Sequence, residues 1–138
     1  MRVTQRLDQA LRALVELARL ENDQRMAVSG LSERLGLSKR VLEQQVTELA
    51  RHGLVECRRG PHGGCRLARP AGEITVAHVM HLLEGGVLDG HVGAGNAVSL
   101  MWADIAETIQ GVTAAITVAD LARNQAEVEI DTSPTYFI

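Results

Sequence analysis

Residues 38 to 68 constrain the fold more tightly than any other part of this chain. Ser38 supplies a side-chain acceptor for the unpaired amides at a helix start, and Leu42, Val46 and Leu49 then recur at helical spacing. The pattern predicts a helix from Lys39 to about His52, closed by Gly53 as a left-handed residue. Two alternating runs follow, Leu54 to Arg58 and Cys65 to Ala68, on either side of Arg59-Gly60-Pro61-His62-Gly63-Gly64. Alternation broken by such a turn-rich connection predicts a β-hairpin. A helix that hands its chain directly to a short hairpin leaves few ways to enclose a core.

The flanking segments narrow the choice. Leu7, Leu11, Leu14, Val15, Ala18 and Leu20 place a first helix over 8–20, and Asn22-Asp23-Gln24 breaks it. A short second helix, Val28 to Leu35, carries Leu31 and Leu35 on one face, with Ser29 as its predicted cap. Gly36-Leu37-Ser38 connects it tightly to the third helix. Thr75 opens a fourth helix to Leu83, with Val76, Val79, Met80 and Leu83 on one face. Only 2% of residues are aromatic (Trp102, Tyr136 and Phe137), so the core must be aliphatic and base stacking on aromatic platforms is disfavoured. From about Asn96 to Ile116 a long helix spaces Val98, Trp102, Ile105, Ile109, Val112 and Ile116 four and three apart, as a coiled-coil seam does.

The fold class expected is therefore mainly α with a small β-hairpin wing: a winged helix-turn-helix plus a long dimerisation helix, the alternative for that helix being packing within its own chain. The predicted division is 1–84 for the winged head, 85–95 for a glycine-rich loop, 96–125 for the dimerisation helix and a last helical turn or two, and 126–138 for a tail.

Charge points to the partner. The formal net charge is -3, but thirteen of the fourteen Lys and Arg lie in residues 1–70 beside eight of the seventeen Asp and Glu. The head is thus basic and the remainder acidic, as for a module that meets a polyanion. The third helix buries Leu42, Val46 and Leu49 and so turns Lys39, Arg40, Glu43, Gln44, Thr47 and Arg51 outward. These side-chain types read base edges and hold phosphates, and a helix seated in a major groove presents its N-terminal residues first. Arg58 and Arg59 at the base of the wing turn, with His62, suit a phosphate track or a minor groove. Arg2 and Ser38 complete the set of candidate DNA contacts. A solvated helix face explains the charges of the third helix alone less well once the arginine-bearing wing is added.

Other chemistries find less support. No nucleophile–base pair, metal quartet or phosphate-binding loop emerges, so an enzyme is not expected. His78 and His81, three apart, have no third ligand and read as a solvated face. The two cysteines, Cys57 and Cys65, sit at equal distance from Pro61 and would face each other across a simple hairpin. Two readings stay open: a cross-strand pair that responds to oxidation or, with His62, to a metal, or two small packed hydrophobes. The latter is favoured, because cytosolic cysteines are mostly reduced.

The run from Gly53 to Ala68 resembles the wing of the IscR/CymR-type winged-helix transcriptional regulators. Ser38-Lys39-Arg40-Val41-Leu42-Glu43-Gln44 resembles their recognition helix. Asp8 to Leu14, Glu73 to Val76, Trp102 and Ile116 to Leu121 extend the likeness almost to residue 125. The resemblance implies a homodimer on a palindromic operator, Glu43 and Gln44 at bases and Arg59 in the minor groove. Many such regulators carry an iron–sulfur cluster on cysteines in the loop before the long helix. Here that loop, Gly86 to Ala97, has no cysteine, and Asp8 and His91 do not replace three thiolates. No cofactor is expected. The chain is expected to work in the cytoplasm, with double-stranded DNA as partner and no membrane. An alternative, a winged-helix adaptor that binds protein instead, would need an apolar patch where the third helix carries charge.

Overall fold

The computed structural model describes residues 3–86 and 95–132. Helix α1 (Gln5–Ala18) starts a turn earlier than its apolar pattern implies. Thr4 caps it, accepting from the Leu7 amide at 3.1 Å. It is the central strut: Leu7, Ala10, Ala13, Leu14 and Leu17 are all buried.

Helix α2 (Val28–Leu35) has the predicted extent but not the predicted cap. Ala27 occupies the cap position with no side-chain bond, and Ser29 lies inside the first turn. The cause is tertiary. Met26 pairs with Cys65, amide to carbonyl in both directions at 2.9 and 2.8 Å, and this fixes where the chain enters the helix.

Helix α3 (Lys39–Arg51) follows the left-handed Gly36 and is capped by Ser38, whose hydroxyl accepts from the Val41 amide at 3.2 Å. Leu42, Val46 and Leu49 point into the core, as their spacing predicts. Strands β1 (Val55–Arg58) and β2 (Gly64–Leu67) form the two-stranded antiparallel wing with Val55 opposite Leu67 and Cys57 opposite Cys65.

A 3-10 turn, Ala71–Glu73, leads into α4 (Val76–Glu84), which Thr75 caps through the His78 amide at 3.1 Å. Helix α5 (Ala97–Ala114) is capped by Asn96 and ends before Ile116, so that residue falls outside the helix. Ile116 instead accepts from the Val76 amide at 2.9 Å, and Val118 donates to the Ile74 carbonyl at 2.8 Å.

Helix α6 (Val118–Thr132) corrects a sequence-based expectation. A last turn or two followed by a tail from 126 is in fact one helix through Thr132. Its start is a reciprocal cap: Thr117 donates its amide to Asp120 at 2.9 Å, and the Asp120 amide donates to the Thr117 hydroxyl at 3.1 Å. Its later turns are held by a contact distant in sequence, a bidentate pair of hydrogen bonds that Arg19 donates to Glu129, with both N···O distances 2.6 Å. That pairing, with Gln125 adding a hydrogen bond, pulls the Glu129 carboxyl down to about 2. Among the described residues no helix is long and apolar enough to cross a membrane.

Candidate nucleic-acid interface

The site is built on α3 and the wing. Burial of Leu42, Val46 and Leu49 fixes the rotation of α3, so the opposite face must look outward. Ser38, Lys39, Arg40, Glu43, Gln44, Thr47 and Arg51 are all exposed. Arg58, Arg59 and His62 are exposed on the wing. Arg2, the remaining candidate contact, lies outside the described residues.

Glu43 and Thr47 from α3 and Arg58 from β1 border one groove of about 570 Å³ between helix and wing. The helix face and the arginine-bearing hairpin are thus two walls of a single surface. Arg51 is partly committed, donating to Glu48 in its own helix at 2.6 Å. Lys39, Arg40, Arg58 and Arg59 have no ion-pair partner among the described residues, which leaves their charge available to an external anion.

A device that positions the wing escaped the sequence reading. Glu56 and Arg66 are opposite each other in the ladder, and Arg66 donates to Glu56 at 2.8 Å. Arg25, from the connection between α1 and α2, donates to the same carboxylate at 2.8 Å and to the Gly64 carbonyl at 3.3 Å. Hydrogen bonds from Arg25 and then Arg66 hold the Glu56 carboxyl below its ordinary range. One acid with two guanidinium partners thereby ties both strands of the wing to the body. The hairpin register could have exposed the Glu56–Arg66 pair. No local signal brings Arg25 to it.

The cysteines also depart from the favoured expectation of two buried hydrophobes. Cys65 is 3% exposed and packs into the core, but Cys57 is exposed and the two form a disulfide.

The loop before α5 has no cysteine to supply the thiolates of the cluster implied by the resemblance. The only two cysteines of the chain are both in the wing and bonded to each other. Asp8 pairs with Arg12 at 2.9 Å, and His91 lies outside the described residues. Among the described residues no group of three or more His, Cys, Asp or Glu is placed to hold a metal ion. The residues present therefore do not fit a thiolate-held cluster.

On the α5 side, Val98, Trp102, Ile105 and Val112 of the predicted seam are exposed, and Ile109 and Ile116 are half-buried against their own chain. Leu100 and Met101 are exposed as well and widen the apolar face beyond the seam.

Comparison with known proteins agrees with this architecture. Residues 3–124 match the Rrf2 family model, described as iron-dependent transcriptional regulator. The chain is 30% identical to the HTH-type transcriptional regulator IscR of Photorhabdus laumondii, over 94% of its own length and 84% of that protein. Among solved structures it resembles CymR, the global cysteine regulator of B. subtilis, with a TM-score of 0.78 at 26% identity, covering 90% of this chain and 98% of that one. It resembles T. potens IscR equally, with a TM-score of 0.78 at 27% identity over 99% of this chain and 94% of that one. A winged helix with a charged recognition face, matched to these regulators over nearly its whole length, belongs to the Rrf2 family of DNA-binding transcriptional regulators.

Proposed function

We propose that this regulator acts as a homodimer on a palindromic operator, with α3 of each protomer in a major groove and the wing tip at the adjoining minor groove. The observation that carries the reading is the shared groove. Glu43 and Thr47 of the helix and Arg58 of the wing line one surface, and Lys39, Arg40 and Arg59, exposed and without an ion-pair partner among the described residues, add positive charge on the same helix and wing. Glu43 and Gln44 contact base edges. Ser38, Lys39, Arg40, Thr47 and Arg51 serve bases and phosphates, and Arg58, Arg59 and His62 follow the backbone and minor groove, joined by Arg2. Such a regulator works in the bacterial cytoplasm, where its operator lies.

Dimerisation is supported by α5. It is an 18-residue helix with no buried residue, and it exposes Val98 at 59%, Leu100 at 65% and Val112 at 57%. A continuous apolar face of this kind is stable in water only when covered. A second copy of the same helix, related by a two-fold axis, covers it and spaces two heads for two half-sites. In this organisation residues 1–84 form the head, with α6 tied back onto it through Val118 and Glu129, 85–95 the connection and α5 the pairing helix.

The test is binding to duplexes recovered by the protein from a randomised pool. Enrichment of an inverted repeat, a steep loss of affinity with salt, and altered preference in Glu43→Ala are expected. Arg59→Ala should weaken binding to all recovered duplexes. Unchanged affinity in Arg59→Ala, or recovery of no duplex, would overturn the reading.

A further inference from the structure

We propose that the Cys57–Cys65 pair is a reversible thiol–disulfide site, exchanging with low-molecular-weight thiols and disulfides, whose bonded state sets the wing for DNA. The inference rests on the DNA-binding reading of the wing given above.

Three observations carry it. The first is register. Cys57 lies directly opposite Cys65, with Cα atoms 4.1 Å apart. The amide and carbonyl of Cys65 both bond Met26 on the other side, so the cysteines form a non-hydrogen-bonded pair, where facing side chains come closest. The two side chains face each other across the ladder, so the reduced thiols stay within reach of re-forming the bond whenever the strands pair.

The second is asymmetric access. Cys57 is exposed, and Cys65 is buried. Cys57 is therefore the more accessible half of the pair to an attacking thiolate, and Cys65 the more shielded half. On reduction, a small thiolate attacks the Cys57 sulfur, the Cys57–Cys65 bond breaks and Cys65 leaves as thiolate. A second small thiolate attacks the small-molecule sulfur of the mixed disulfide and releases Cys57. Two small thiols become one small disulfide, the protein gains two electrons, and the two protons given up by the small thiols end on Cys57 and Cys65. Oxidation is the reverse, with a low-molecular-weight disulfide as oxidant.

The third is position. The same groove that carries Glu43, Thr47 and Arg58 is lined by Cys57 and Cys65. The bond thus spans the wing between recognition helix and arginine tip. Strand β2 is anchored to the body through Met26 and β1 through the Arg25–Glu56 pair, whereas Cys57 and Arg58 at the far end of β1 are exposed. A two-stranded ladder of four pairs is marginal by itself. The cross-link holds the exposed end of β1 to the anchored strand and so pre-organises Arg58 and Arg59, which lowers the ordering cost of binding. A disulfide in a protein that works beside DNA, in a reducing compartment, is characteristically transient and redox-sensing rather than a permanent brace.

The experiment equilibrates the intact wild-type protein in buffers of defined reduced and oxidised glutathione, then counts free thiols by the mass added on alkylation. Affinity is measured on both forms with duplexes recovered from a randomised pool by each form separately. A reversible midpoint, with the bonded form binding on the order of tenfold tighter, is expected. Linkage then requires that bound duplex lower the midpoint potential of the pair by about 30 mV for that tenfold ratio. Cys57→Ser, a change at an exposed position, should keep the helical signal, bind as the reduced wild type does and lose the response to glutathione. Equal affinity of the two forms, or a bond that neither forms nor breaks across the buffer series, would overturn the proposal and leave the DNA reading intact. Failure of both forms to recover any duplex would instead remove the DNA reading and this proposal with it, while the thiol count still reported the bond.

Discussion

Replacing Gly64 by alanine tests how the wing is fastened to the body. Gly64 has a φ of +119°, a conformation side chains rarely tolerate, and a methyl group there would sit 2.8 Å from the Met26 carbonyl carbon. The backbone strain costs roughly 1–3 kcal/mol. The clash is with backbone, so it is relieved only by moving β2 away from Met26. That separation gives up the 2.9 and 2.8 Å bonds between Met26 and Cys65, each worth about 1 kcal/mol net. The sum is about 4 kcal/mol. Gly60 is the internal control: its φ is +102°, yet an added methyl group would meet nothing within 4 Å. Gly60→Ala should therefore cost the strain alone, about 2 kcal/mol. In a chain of this size the losses correspond to Tm decreases of roughly 12 °C and 6 °C. Thermal unfolding followed by circular dichroism, with the disulfide intact, measures both. Hydrogen exchange at the Met26 and Cys65 amides should accelerate in Gly64→Ala and stay near wild type in Gly60→Ala. Equal Tm losses, or protected Met26 and Cys65 amides in Gly64→Ala, would refute the close approach of β2 to Met26.

Three further outcomes follow from the packing. Leu49, fully buried on α3, should cost roughly 3 kcal/mol as alanine, read from denaturant midpoints, whereas the exposed Thr47→Ala should change stability by less than about 0.5 kcal/mol. Ile105→Glu places a charge on the exposed apolar face of α5 and should convert the proposed dimer to a monomer by sedimentation while the head keeps its helical signal; a dimer persisting at low micromolar concentration would refute α5 as its interface. The Glu129 carboxyl is lowered from 4.5 to about 2 by its bonds with Arg19, so its stabilisation is present above its unfolded value near 4.5 and lost as pH falls toward 2. Glu129→Gln should flatten the acid dependence of stability in that window, and an unchanged profile would remove the Arg19–Glu129 tie as its source.

Local pattern carried a large share of this protein's architecture. The cap Ser38, the helix start at Thr75, the stop at Gly53, the inward face of α3 and the opposition of Cys57 and Cys65 were legible, because each depends on residues a turn or a hairpin apart. On α1 only Leu7 and Leu14 of the expected set are buried, beside Ala10, Ala13 and Leu17, and on α4 Ala77 joins Val79 and Leu83. The outward face of α3 followed by elimination once its buried leucines and valine were placed. Tertiary structure decided the rest. Met26 pairing with Cys65 set the cap of α2 at Ala27 and left Ser29, the expected cap, inside the first turn. Arg19 reaching Glu129 kept α6 helical where composition read as a tail. Arg25 joining Glu56 and Arg66 anchored the wing, and burial of Cys65 but not Cys57 made Cys57 the more accessible half of the disulfide. These contacts join segments distant along the chain. Periodicity and turn chemistry act over a few residues, whereas such contacts form only when the aliphatic core has set the distances between elements.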